Sequence, residues 1–165
     1  MYLIDSNVLM EAHRQYYSFR VVPGFWQWII NAHSQGLVGS VRRVRDEINA
    51  GEDELRDWIK DLPAQFFAEE DTEVTVRLSE LARWAVTSGY EQEITDKFLG
   101  SADLLLIAHA KADHHTAVSL ESSKPNSAKH IQIPDVCKHF EIKCIRTFEM
   151  LADANVEFDL RSDSK

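Results

Sequence analysis

The sequence predicts a three-layer α/β/α fold with a mainly parallel central sheet and many helices, and three observations carry that expectation. Short apolar runs of strand type open the chain at residues 2–4, recur at 116–120 and return at 142–145. Helical stretches separate them, which is the pattern of strands joined by helical crossovers. Two of the runs lead into acids, Asp5 and Glu121, and in an open α/β sheet ligands gather at the carboxyl ends of the strands. The 165 residues fit one domain, placed at residues 1–160, with the polar residues 161–165 as a frayed tail.

Taken in order, Tyr2, Leu3 and Ile4 form the first strand, and Ser6 or Asn7 can cap a helix carrying Val8, Leu9, Ala12 and His13. A second helix follows Pro23, with Phe25, Trp26, Ile29 and Ile30 at helical spacing and Gly36 as its stop. Residues 37–41 fit a strand or a helix entry equally. Residues 41–50 read as a helix ended by Gly51, and Glu47 lies on it. Residues 52–62 have helical composition up to Pro63. Residues 72–88 make the clearest helix of the chain, with Val74, Leu78, Leu81, Ala82 and Ala85 as its apolar stripe.

A further helical piece at residues 91–99 stops at Gly100, and Ser101 can cap a helix over 102–112 that holds Asp103 in its first turn. Residues 116–120 read as a buried strand leading to Glu121, and SSKPNSAK as a loop. A short helix from Pro134 to Phe140, a strand at 142–145 and a helix at 147–154 complete the chain. The helices clustered between residues 41 and 99 mean that a regular Rossmann repeat is not implied.

Composition narrows the class. Hydrophobic residues at 44% and charged residues at 27% are ordinary globular usage, and four Trp and eight Phe supply packing bulk. No apolar run approaches the roughly 20 residues of a membrane span, and MYLIDSN has no basic leader pattern. A cytoplasmic protein with no membrane partner is expected. Cys137 and Cys144 are too few for a disulfide scaffold or a four-ligand zinc site, and read as two partly buried thiols. The net charge of −9 argues against a general nucleic-acid binder. Arg42, Arg43, Arg45, Lys111, Lys124 and Lys129 could still track a phosphate backbone locally, although the run from 42 to 45 reads first as a solvated helix face.

The chemistry-bearing residues are four acids: Asp5, Glu47, Asp103 and Glu121. If they meet, their repulsion needs a compensating charge, and a hard divalent cation held by oxygen ligands supplies one. Hydrolysis of a phosphodiester needs a nucleophile at neutral pH and charge stabilisation on phosphoryl oxygens, and a metal provides both. Each acid also has a plain structural role available. Asp5 can cap the first helix, Asp103 can favour the dipole of its own helix, Glu47 can be an exposed helix acid with Asp46 the inward one, and Glu121 can be a loop residue. The histidines at 109, 114, 115, 130 and 139 match no paired-ligand spacing. No phosphate-binding glycine loop and no GxSxG are present.

The blocks YLIDSNVL, DEI, SADLLLIAHA and AVSLESS resemble the four motif blocks of PIN domains, small metal-dependent nucleases that include the toxins of VapC-type toxin–antitoxin pairs. IPDVC and IKCIRTFEML are similar to an uncharacterised bacterial subgroup of PIN-like proteins, so the resemblance spans nearly the whole chain. It implies a Mg²⁺- or Mn²⁺-dependent endoribonuclease with metal-binding acids at Asp5, Glu47, Asp103 and Glu121 and strand-end polar residues at Asn7 and Ser119. Asp5 and Asp103 would be the main ligands. Glu47 would be a ligand or would orient metal water, and Asn7 would hold Asp5 or the scissile phosphate. The pattern departs at Ser119 and Glu121, where PIN domains commonly carry Thr and Asp. The longer Glu121 would act through a bound water.

The expected partners are an RNA substrate, a basic antitoxin protein and a second copy of the chain, with a face bearing Trp26, Trp28 and Trp58 as one place to receive a partner. Two alternatives stand beside the nuclease. One is an inactive PIN-like module that binds RNA or protein. Keeping four acids together speaks against it. The other is a phosphatase of the haloacid dehalogenase type, which needs a second acid at the position held by Asn7.

Overall fold

The computed structural model describes residues 1–159 apart from Asn126 and Ala128, so the tail expected at 161–165 lies outside the described residues. Five strands, β1 (Tyr2–Ile4), β2 (Val38–Val41), β3 (Phe67–Ala68), β4 (Thr116–Val118) and β5 (Cys144–Ile145), form one sheet in the order β3-β2-β1-β4-β5. Every pairing is parallel. Among the described residues nine α-helices connect and cover the strands: α1 (Ser6–Glu11), α2 (Pro23–Ser34), α3 (Arg42–Asn49), α4 (Glu54–Lys60), α5 (Thr72–Thr87), α6 (Gln92–Gly100), α7 (Ala102–Ala112), α8 (Ile133–His139) and α9 (Thr147–Asp153).

The strands are short and apolar because the sheet is covered on both faces. Successive residues point to opposite faces, yet Leu3 and Ile4, like Ala117 and Val118, have no exposed surface. The α/β fold with a parallel sheet is therefore as expected. α7 lies deepest among the helices: every residue from 104 to 110 is buried, which is why its run LLLIAHA shows no polar stripe. It packs on α5, β2 and β4. α2 ends in a Schellman motif, with the Gly36 N–H donating to His33 O (2.8 Å) and the Leu37 N–H to Ala32 O (2.9 Å). The Gly36 φ of 71° is the left-handed conformation that this cap requires.

Several local expectations change. Ser6 and Asn7 are the first residues of α1, and the cap is Asp5 itself, whose Oδ1 accepts the Ser6 N–H at 2.7 Å. α1 runs into a π-helical turn (Ala12–Tyr16), which apolar periodicity does not signal. Residues 37–41 resolve as strand β2. After Pro63 a 3₁₀ turn (Ala64–Phe66) leads into the edge strand β3, which is too short to show a period. Ser101 precedes α7 without capping it, because its hydroxyl donates back to Phe98 O at 2.8 Å. Ile30 is 38% exposed, outside the core.

Trp26 is buried and meets Trp58 edge to face at 4.8 Å, so this pair packs into the core and leaves no tryptophan face spanning α2 and α4. Cys137 and Cys144 are free thiols, one buried and one half-buried. Among the described residues no helix is long and apolar enough to cross a membrane.

Candidate metal centre

The strand order sets where a site can form. From β1 the chain crosses to β2 on one side, whereas from β4 it crosses to β5 on the other, so the crevice between the carboxyl ends of β1 and β4 is a topological switch point. Asp5 follows β1 directly and Ser119 follows β4. Their backbones continue the ladder: the Asp5 N–H donates to Val118 O (3.0 Å) and the Ser119 N–H to Ile145 O (3.1 Å). From the neighbouring strand β2, the Ser40 hydroxyl donates to Ile4 O at 2.6 Å and fixes the peptide that presents Asp5.

Asp5 is 1% exposed. The Ser119 hydroxyl donates to Asp5 Oδ2 (3.3 Å) and accepts from Asn7 Nδ2 (3.3 Å) and the Glu121 N–H (3.1 Å), which uses its one donor and both acceptor positions. Asn7 Oδ1 accepts the Leu120 N–H at 3.1 Å. Asn7 therefore reaches Asp5 only through Ser119, and its amide ties α1 to the segment leaving β4. The expectation that it holds Asp5 directly is corrected to this indirect link.

The remaining acids arrive from three other places. Glu47 on α3 accepts the Ala102 N–H, the first of α7, with Oε1 at 3.3 Å. Asp46 points away, 62% exposed and paired with Arg45 at 3.7 Å, so Glu47 is the inward acid of the two. Asp103 is the second residue of α7 and its carboxylate takes its own backbone N–H. Glu121 accepts the Ile133 N–H, the first of α8, with Oε2 at 2.7 Å. All four carboxylates thus hold a main-chain N–H in the first turn of a helix, α1, α7 or α8. Those otherwise orphaned donors and their partial positive charge are what let the acids sit together.

The balance is still strained. Burial, and next the charge of Asp103, raise the Asp5 carboxyl well above the usual carboxylate range, with Glu121 and Glu47 adding to it. Burial, then the charges of Glu121 and Glu47, lift Asp103 to about 7. Burial also raises Glu121, against the Ile133 N–H and the charge of His130. Each acid therefore feels at least one of the others, which no single motif block establishes.

Among the described residues no three His, Cys, Asp or Glu side chains are gathered tightly enough to hold one metal ion as they stand. The donor set nevertheless suits a hard divalent cation of the Mg²⁺ kind, which takes oxygen ligands and keeps several waters between itself and part of its protein site. Asp5 and Asp103, the acids most raised by mutual repulsion and burial, are the ones such a charge would relieve most.

Two recesses flank the acids. One, of about 100 Å³, is lined by Asp103 and Glu121 together with Lys97, Lys129 and His130. The other, wider at about 560 Å³, places Arg42 and Arg43 beside Glu47. Of the basic residues named from the sequence, Arg42, Arg43 and Lys129 are therefore at the site. Lys111 is remote, paired with Glu80 at 3.2 Å and lying over the Phe140 ring. Lys97, His130 and Ser40 were not expected there. Each lies in a helix, loop or strand whose composition marks no function, and only tertiary packing brings it in. His109 is buried in α7, and burial lowers its pKa.

The chain belongs to the family described as Domain of unknown function (DUF4411), whose model matches residues 2–158. A search of curated proteins finds no match to it.

Proposed function

We propose that this member of the DUF4411 family is a Mg²⁺- or Mn²⁺-dependent endoribonuclease of the PIN type. The observation that carries the reading is the meeting of Asp5, Glu47, Asp103 and Glu121, far apart in sequence, at the switch point of a parallel sheet, where they raise the carboxyl groups of Asp5 and Asp103. Asp5 and Asp103 would hold the cation. Glu47 and Glu121 each have one oxygen fixed by a helix N–H, which leaves the other to orient a bound water. When bound, the cation supplies an acidified water and Lewis-acid stabilisation of the phosphoryl oxygens. Ser119 and Asn7 act by position: they hold the Asp5 carboxylate and the segment carrying Glu121 at a fixed separation. Arg42 and Arg43 on one side and Lys97 and Lys129 on the other offer cations to the phosphates of a strand crossing the acids.

In the cell such an activity would serve as the toxin of a toxin–antitoxin pair, acting in the cytoplasm. The net charge of −9 suits a basic antitoxin as inhibitor, and the PIN resemblance suits a homodimer.

A specific observation favours a second reading, an inactive PIN-like module that binds RNA or protein. Asp5, Glu47 and Glu121 each satisfy the first N–H of a helix, which is a structural reason to keep them without any metal. Cleavage of a mixed RNA pool by the purified protein in Mn²⁺, Mg²⁺ or EDTA separates the two. The nuclease reading expects cutting in either metal, none in EDTA, and a loss of at least about 100-fold in Asp5→Asn and Asp103→Asn proteins of intact fold. Cutting that survives both substitutions, or no cutting in any metal, overturns it.

A further inference from the structure

A third cavity, of about 310 Å³, shares a wall with the acids. Its apolar floor includes Val8 and Leu120. Val8 follows Asn7 on α1, and Leu120 lies between Ser119 and Glu121 with its N–H held by Asn7. At the rim stand two large rings that the fold leaves in solvent, Tyr16 at the end of the π-helical turn (56% exposed) and Phe148 at the start of α9 (66% exposed). The wall between them carries Thr147, 5% exposed, whose hydroxyl has no hydrogen-bond partner among the described residues. Arg146 adds a cation to the lining. Glu149, the acid among the lining residues, has Oε2 tied to the Arg146 N–H at 2.8 Å.

Aromatic rings are exposed at a loss unless something stacks on them, and a buried hydroxyl without a partner is costly unless a ligand supplies one. An apolar slot with few convergent polar groups, at the low end of the roughly 300–1,000 Å³ typical of small-ligand pockets, fits a flat heteroaromatic ring. We infer that this cavity takes one unpaired nucleobase of a single-stranded RNA whose backbone passes the four carboxylates. The inference rests on the nuclease reading of those acids and adds the form of the substrate.

The base stacks against Phe148 and Tyr16, the Thr147 hydroxyl meets its polar edge, and Arg146 faces a neighbouring phosphate. A duplex is excluded because its bases are already stacked and paired, and extruding one costs free energy. Every base has a π-face, so the rings select unpaired RNA over paired RNA rather than one base over another.

The test is polarisation of a fluorescein-labelled ten-nucleotide RNA in EDTA, single-stranded or annealed to its complement. The single strand is expected to bind at least about ten-fold more tightly than the duplex. Phe148→Ala and Tyr16→Ala should each weaken single-strand binding by about ten-fold, the loss of one stacking partner, and Phe148→Trp should restore it. Both positions are on the surface, so the fold survives the changes. Equal binding of the two RNAs, no binding, or binding indifferent to both rings overturns the inference. Ring-dependent binding of the single strand by a protein that cuts no RNA in Mn²⁺ supports the base pocket and overturns the nuclease reading alone.

Discussion

A carboxyl group lifted to about 7, as Asp103 is, stores free energy that depends on pH. In the unfolded chain an aspartate loses its proton near pH 4, whereas the folded protein keeps it to about 7, so between these values the folded state binds more protons. Stability must then fall as pH rises from about 4 to 7 and level off above. Asp5 and Glu121 are shifted in the same direction and deepen the fall. Metal-free protein followed by thermal unfolding should melt lower at pH 8 than at pH 5. Asp103→Asn, which removes the charge and keeps the shape, should flatten that dependence and raise the Tm at pH 8 by about 5 °C. A profile unchanged by the substitution would mean that Asp103 carries no such burden. Asp5 and Asp103 were legible as acids at a strand end and in a first helical turn. Their mutual repulsion was not, because it depends on distances across 98 residues of intervening chain.

At the scale of elements, the acids double as caps. A helix start leaves its first N–H groups without intrahelical partners, and here α7 and α8 borrow Glu47 and Glu121 from distant segments. Ser101 looked like the natural cap of α7 because serine before an apolar run is the usual sign, but its hydroxyl turns back to Phe98. Local signs cannot reveal a cap supplied by tertiary contact. The two roles of Glu47 come apart by substitution. Glu47→Gln keeps an oxygen for the Ala102 N–H and removes the charge, so stability should hold while metal-dependent cleavage falls by at least about ten-fold. Glu47→Ala should also cost about 1 kcal/mol of stability in urea unfolding. If Glu47→Gln retains full activity, Glu47 is a cap and nothing more. The helices at α2, α5 and α7 were legible because each runs long enough to show its apolar period or its stops. β3 and the π-helical turn were not, since two residues have no period and a π turn is one residue inserted into a helical pattern.

For the molecule as a whole, the parallel sheet could be read from short apolar runs separated by helices, and the order β3-β2-β1-β4-β5 then places two of those runs side by side at the switch point. What the sequence could not convey is which distant segments that topology brings beside the acids: Ser40 from β2, Lys97 from α6, His130 from the loop before α8, and the cavity walled by α1 and the start of α9. The acidic whole and the basic flanks are compatible because affinity for a phosphate strand is decided where the strand lies rather than by the net charge of −9.

The central claim is that the four carboxylates form a cation site, and Mn²⁺ titration of the protein at pH 8, with proton release recorded in a weak buffer, tests it most directly. The account predicts saturable binding accompanied by release of protons that Asp5 and Asp103 still hold, and loss of both signals in Asp5→Asn and Asp103→Asn. Binding that is absent, or that persists unchanged in both substituted proteins, would contradict it and leave the carboxylates as helix caps.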